Sequence, residues 1–345
     1  MTVFVVFAQS NFAQNKMTPE LLWQLGRVNP VGITNDGNSL IYSVSAPDVA
    51  ENKSNTAFFK VPLIGGASEA ITAFDTLIKN KKISPDGKFT LYDQKVKVEK
   101  VFGEDFYPEM KKSEVQIYNG LDYRHWDHWN TGEYSHIFYK DSTQTGTDIM
   151  KNEAFHSPQQ PFGGDEDYLW HPTGTNIIYV AKKKSGTKYA TSTNTDIYSY
   201  NIKTKQTANL TQKNQGYDTF PDFSPEGDLT WLQMKNDGYE SDKNDIVVRF
   251  NGIDYNLTAQ WDGTVSSYKW APDGEKIYFT APTQGTEQLF MVNFPGLKKK
   301  AIKVEQITDG DFDVTGIVGF FGEKNIIRNY SAIFKKNLVV NNFRF

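Results

Sequence analysis

The chain has 345 residues, 41 acidic against 37 basic side chains for a formal charge of −4, and no cysteine. That near-even charge, with no basic stripe, argues against a nucleic-acid footprint. The absent thiols exclude disulfides and thiolate metal sites, and the length suits one large repeat domain.

In chain order, Val3-Phe4-Val5-Val6-Phe7-Ala8 opens as a short apolar run that ends in Ser10-Asn11-Phe12-Ala13-Gln14. It reads as residues 1–13 of a secretory leader cut after Ala13, although a basic leading segment is missing. A disordered or strand-forming start is the alternative. Secretion to a periplasm or the extracellular space follows from the leader reading. No other segment approaches transmembrane length. Pro19–Leu25 carries nearly all the helical periodicity in the chain.

From there the text repeats a phrase. Ile83-Ser84-Pro85-Asp86-Gly87 returns as Trp170-His171-Pro172-Thr173-Gly174, Phe223-Ser224-Pro225-Glu226-Gly227 and Trp270-Ala271-Pro272-Asp273-Gly274, with a decayed copy at Ile33-Thr34-Asn35-Asp36-Gly37. Pro presets φ and Asp-Gly supplies the positive φ of a tight turn. Each copy precedes a β-rich run such as Ile177-Ile178-Tyr179-Val180. A third strand follows, then a turn such as Lys203-Thr204-Lys205, then a fourth strand closing on Ile71-Thr72, Leu210-Thr211, Leu257-Thr258 or Ile307-Thr308. Four antiparallel strands repeated about every 45–50 residues describe an all-β fold, a β-propeller of stacked blades.

The interval from Gly87 to Gly174 is too long for one blade. Either a degenerate blade hides there or the second blade carries an insertion, and the insertion is favoured. Ser135–Tyr139 and Asp148–Met150 then serve as third and fourth strands of that blade, leaving about Val96–Tyr134 as an excursion. Five blades are counted and a sixth begins near Val314.

Neither a Gly-x-Ser-x-Gly elbow nor a His-Glu-x-x-His, Walker or dinucleotide motif occurs. Gly65-Gly66-Ala67-Ser68 reads as a hairpin turn. Of the five histidines, His125 and His128 lie three apart in an extended or irregular stretch, where an odd offset points to opposite faces. No catalytic residue, metal ligand or cofactor is expected from the residues themselves. Lys182–Lys184 and Lys298–Lys300 read as solvated tips.

Blade geometry puts the loops between second and third strands on the face away from the Pro-Asp-Gly turns. These are Ala46–Asn55, Val96–Tyr134, Lys182–Thr195, Lys235–Asp245 and Ala281–Glu287. Function concentrates on such loops. In the insertion, Arg124, Trp126, Asp127 and Trp129 combine polar and aromatic groups as a ligand site would. Equally, the insertion packs its own aromatics on the blade, with Arg124–Asp127 as a local ion pair.

The chain resembles the N-terminal propeller of the prolyl oligopeptidase family (S9) of serine peptidases, nearest to the acylaminoacyl-peptidase and dipeptidyl-peptidase 5 branch of Bacteroidetes-type bacteria. The resemblance is carried by Met17–Val28, Tyr123-Arg124-His125-Trp126-Asp127-His128-Trp129, Ser157-Pro158 with Phe162-Gly163-Gly164, Tyr189–Ile197, and Gly216-Tyr217-Asp218 with Gly238-Tyr239-Glu240-Ser241-Asp242-Lys243. It runs from about Met17 to about Gly319. It implies a propeller, usually seven-bladed, that gates access of short peptides to a C-terminal α/β-hydrolase domain bearing Ser, Asp and His. This chain stops before any such domain, so it is expected to be inactive alone. The resemblance also implies substrate binding: Arg124 for a peptide carbonyl, and Asp127, or secondarily Glu240 or Asp242, for a free amine.

Residues 320–345 turn Lys/Asn-rich, with no acidic residue after Glu323. That text reads as a divergent tail, from a truncated or frame-shifted gene or from a short paralogue. An incomplete ring would leave blade edges unpaired and promote dimers or poor solubility. Two other readings remain: a stand-alone periplasmic interaction module, and a propeller enzyme with a central metal.

Overall fold

The computed structural model describes residues 17–121, 123–143, 146–296, 301–322, 325–332 and 335–341. The expected leader at 1–13 and the basic run Lys298–Lys300 lie outside the described residues. The chain divides into two compact units, one ending at Lys79 and the other starting at Asn80.

The first unit holds a short helix α1 (Pro19–Gln24), capped by the Thr18 hydroxyl, and one antiparallel sheet of β1 (Arg27–Ile33), β2 (Ser39–Asp48), β3 (Lys53–Pro62) and β4 (Glu69–Ile71) in sequence order. The second unit begins with β5 (Thr90–Lys97). Its insertion carries α2 (Gly103–Phe106), β6 (Arg124–His125) and β7 (His128–Trp129), and β8 (Glu133–Lys140) and β9 (Thr147–Asp148) then complete a sheet with β5. Three four-stranded sheets follow: β10 (Tyr168–Trp170) to β13 (Thr207–Asn209) by way of β11 (Asn176–Ala181) and β12 (Asp196–Asn201); β14 (Asp218–Phe223), β15 (Leu229–Gln233), β16 (Asp245–Phe250) and β17 (Ile253–Asn256); and β18 (Ser267–Trp270), β19 (Lys276–Thr283), β20 (Thr286–Asn293) and β21 (Val304–Gln306). Helix α3 (Thr187–Thr191) sits between β11 and β12. A bridge from Ile83 to Thr90 supplies the missing first strand of the β5 sheet, so five antiparallel blades are present. A sixth sheet of three strands, β22 (Asp313–Phe321), β23 (Asn325–Ala332) and β24 (Lys335–Asn341), runs across the start of the Lys/Asn-rich text.

The repeated phrase does what its chemistry requires. Gly37, Gly87, Gly174, Gly227 and Gly274 all take φ between 66° and 96°, a region costly for any side chain. Each donates its N–H three residues back, to Thr34, Ser84, His171, Ser224 and Ala271 in turn. The Leu-Thr endings form a second repeated device. Leu210 N–H donates to the Ile197 carbonyl at 2.8 Å while Ile197 N–H donates to Thr211 Oγ1 at 3.0 Å. Leu257–Thr258 clasps Ile246 in the same way, and Ile307–Thr308 clasps Leu289. In these three blades the residues just past the fourth strand are thereby tied to the first half of the third, and the N–H of Ile197, Ile246 and Leu289 each finds a partner.

Strand alternation glues the blades of the second unit together. On β11, Ile177, Tyr179 and Ala181 pack back against Leu91 and Ile137 of the preceding blade, whereas Ile178 and Val180 pack forward against Leu229 and Trp231 of the next. Leu232 and Ile246 then meet Ile277 and Phe279, and Tyr278 and Leu289 meet Val314 and Ile326. Both faces of the three four-stranded sheets from β10 to β21 are buried along their inner strands, so alternation there selects the neighbour rather than separating core from solvent.

Several loop expectations change. β2 and β3 stay paired to Asp48–Lys53, so the loop expected at Ala46–Asn55 is only residues 49–52. β19 and β20 pair to Thr283–Thr286, reducing Ala281–Glu287 to a two-residue Gln284-Gly285 turn with both φ positive, the geometry that matches hairpin twist. The insertion is real but shorter: Val96 and Lys97 pair with Tyr134 and Glu133, leaving residues 98–132. Lys182–Lys184 is no solvated tip. Lys183 Nζ lies 2.6 Å from Glu153 and over the Tyr198 ring, and Lys182 stacks on Tyr189. The aromatic surface next to the third blade draws these ammonium groups inward.

Candidate functional site

The Tyr123–Trp129 text forms a miniature hairpin. Arg124 pairs with Trp129 and His125 with His128, and the turn places Trp126 at φ 50°. Directly opposed residues of an antiparallel pair share a face, so His125 and His128 lie on the same side. The opposite-face expectation failed because the chain reverses between them. Trp129 stacks with Tyr118 and Tyr123 at ring separations of 6.1 and 5.9 Å, and the Tyr118 hydroxyl donates to the Asn130 carbonyl at 2.6 Å. Arg124 is pinned on this pile. Its Nε donates to the Trp126 carbonyl at 2.6 Å and its guanidinium lies 5.5 Å above the Trp129 ring. Asp127 sits beside His128 at 3.3 Å, and the carboxylate contact of this hairpin is therefore with His128 in place of the Arg124 considered from sequence.

These four residues line one cavity of about 640 Å³, together with Lys95 of β5, Ser135 of β8, His156 and Tyr189. The hairpin packs its own aromatics, and its polar and aromatic side chains also line this cavity. A smaller cavity of about 160 Å³ is lined by Phe162, Glu166, Asp167, Tyr217, Phe220 and Glu240. The two neighbour each other through Trp126, whose ring meets Phe162 at 5.8 Å. Asp242 lines neither. Its carboxylate accepts N–H groups from Lys235, Asn236 and Lys243, fixing its own loop. Desolvation opposes its ionisation, but these donors outweigh that and hold its pKa below the ordinary value.

No protein-family model matches the chain. It is 33% identical over 351 residues to dipeptidyl-peptidase 5 of Porphyromonas gingivalis, covering 86% of this chain and 50% of that protein. The chain is a β-propeller related to dipeptidyl-peptidase 5. The protein of the same name from Porphyromonas endodontalis is 30% identical over 359 residues, covering 89% of this chain and 51% of that one. The chain therefore spans about half the length of the curated relatives it matches. Among solved structures, Pyrococcus horikoshii acylaminoacyl peptidase superposes with a TM-score of 0.63 at 13% identity, over 93% of this chain and 52% of that one, a likeness of fold.

Two residues of this propeller were not singled out from sequence. His156 lines the larger cavity, and its Nδ1 accepts the Ser135 N–H at 3.2 Å. Burial, then the nearby charges of His136 and Lys95, depress its pKa to about 4. Asp167 lines the smaller cavity, and its Oδ2 accepts the Gln159 N–H at 2.9 Å. Burial lifts its pKa to about 7 against that hydrogen bond, with Glu166 adding repulsion. Gly163 makes room for Asp167, since a Cβ there would collide with the Asp167 carboxylate and the Gln159 backbone, a packing that only the fold shows. His156 left no trace in the sequence either, since its partner is a backbone amide of β8, 21 residues away. Among the described residues, no group of three His, Asp or Glu side chains could hold a metal ion, and no helix is long and apolar enough to cross a membrane.

Proposed function

We propose that this chain is the substrate-gating, peptide-binding propeller of a secreted serine exopeptidase of the dipeptidyl or acylaminoacyl kind, and that it does not cleave peptides by itself. The observation that carries the reading is the cavity of about 640 Å³ walled by Arg124, Trp126, Asp127 and Trp129 on an insertion of the second blade. A pinned guanidinium suits a peptide carbonyl, the indoles suit apolar side chains, and a carboxylate at the cavity rim suits an ammonium group. Arg124 takes the carbonyl and Asp127 the free amine. Glu240, at the smaller cavity, is the second choice for the amine, and Asp242 is the weakest because its oxygens are engaged in its own loop. Relationship to dipeptidyl-peptidase 5 supports the substrate class, and the apolar Val3–Ala8 run supports secretion.

Calorimetry of the chain with Ala-Ala-Phe amide and its N-acetyl form tests the reading. Saturable binding of the free peptide, with Asp127→Ala narrowing the difference between free and acetylated forms, is expected. Absence of saturable binding by either peptide sinks the peptide-binding role. Hydrolysis of dipeptidyl or acyl-aminoacyl reporters by the chain alone sinks the non-catalytic one.

A further inference from the structure

The larger cavity contains a histidine whose chemistry is set by its backbone surroundings. Ser135 N–H donates to His156 Nδ1, and the next residue returns the contact, Ser157 N–H donating to the Ser135 carbonyl at 2.8 Å. This reciprocal pair clamps residues 156–157 to β8. The imidazole packs on Tyr134 with 4.8 Å between ring centres, and the Tyr134 hydroxyl is itself held by Glu99 at 2.6 Å. The ring cannot swing without breaking the clamp.

A nitrogen that accepts an N–H carries no proton, so the neutral ring must carry its proton on Nε2. Burial first, and then the charges of His136 and Lys95, disfavour a second proton, which keeps the ring neutral near pH 7. The result is a preorganised, uncharged N–H donor on a cavity that also carries the charged groups Arg124, Asp127, Lys95 and Glu133 and the neutral ones Asn130, Gln160 and Tyr189.

We infer that His156 is a specificity-determining residue of this cavity, its Nε2–H donating to the carbonyl oxygen of a bound peptide or acyl group. This rests on the peptide-binding reading above. A fixed neutral donor rewards an acceptor without net charge and gives little to a cationic group. It therefore selects the amide or acyl carbonyl of the ligand, while the charged groups act on its terminus. Because the ring is already oriented, little rotamer freedom is lost when the bond forms.

The test uses the chain as it stands. Nitrogen-15 long-range spectra of the wild type report the His156 tautomer, and titration with Ala-Ala-Phe amide reports whether Nε2 responds. We expect the Nε2–H tautomer and a shift of that nitrogen on saturation. His156→Phe keeps a ring on Tyr134 but removes the donor, and should weaken binding roughly 2- to 12-fold, the worth of one neutral hydrogen bond. His156→Gln, which places an amide N–H near the same point, should recover most of that loss. An Nδ1–H tautomer overturns the proposal, as does an Nε2 resonance unmoved at saturation. If the wild type binds peptide and His156→Phe binds equally well, His156 is idle while the cavity reading survives. If the wild type binds no peptide, both fall.

Discussion

Trp126 sets its indole edge-on to Phe162, at 5.8 Å and 67° between ring planes, and so joins the hairpin of the second-blade insertion to the loop that leads into the third blade. Both rings are largely exposed, 64% and 63%, and each borders a different cavity. Exposed aromatics this large are costly to solvate, so the contact reads as a wall that a ligand would complete. Trp126→Ala should leave unfolding free energy within about 0.5 kcal/mol of wild type, as surface changes do. It should also weaken Ala-Ala-Phe amide binding clearly in calorimetry. Loss of stability without loss of binding would mark the pair as scaffold.

The Leu-Thr clasp makes a prediction about the blades. In Thr258→Val the shape persists, but Ile246 N–H loses its acceptor, while Asp245 Oδ1 loses one donor and keeps Lys243 at 2.8 Å. A buried donor without an acceptor costs about 1–3 kcal/mol. Urea unfolding should show that loss at Thr258 and at Thr211, where Ile197 N–H depends on the hydroxyl in the same way. Equal stability of the valine variants would remove the clasp from the account.

Trp231 and Asp218 form the most enclosed polar pair of the fourth blade. Both are wholly buried, and the indole Nε1 donates to Asp218 Oδ1 at 2.8 Å, alongside Gln233 Nε2 at 2.9 Å. Trp231→Phe removes a donor and leaves a void, and should cost about 3 kcal/mol. Combined with Asp218→Ala, which removes the acceptor, the losses should fall short of additive, because the two changes remove one shared bond. Strict additivity in a double-mutant cycle would contradict this.

The contributions of Asp167 and Asp218 to stability should fall with rising pH between about 4 and 7, outweighing the opposite contribution of the single His156, whose pKa is lowered to about 4. Burial lifts the pKa of Asp167 and of Asp218 from the ordinary 3.8 to about 7, against the hydrogen bonds that each accepts. In that window the folded state binds more protons than the unfolded one, so each pH step favours unfolding until both carboxyls have ionised. Asp167→Asn and Asp218→Asn keep an acceptor oxygen and lose the charge, so each should flatten the slope of melting temperature against pH. An unchanged slope in both variants would refute the assignment.

Much of the blade architecture could be read before any coordinates. A positive-φ turn needs Gly at a given place, and the Thr that caps a strand must follow its Leu, so these requirements repeat along the chain as text. The loops were less legible. Ala46–Asn55 and Ala281–Glu287 read as loops but continue their strands as paired hairpins, because cross-strand pairing does not require apolar side chains. His125 and His128 were assigned to opposite faces because a reversal at Trp126-Asp127, carried by a tryptophan at φ 50°, has no glycine to announce it.

By itself, then, the sequence determined the repeat, its register and the presence of an excursion after Val96, since each rests on local backbone geometry that neighbouring residues dictate. Only the tertiary structure decided which side chains meet. It placed Trp126 against Phe162 and His156 against Ser135, and it directed Asp242 into its own loop and away from either cavity. Such meetings depend on packing between segments distant in sequence, where shape and burial choose the partner and no short-range pattern records the choice.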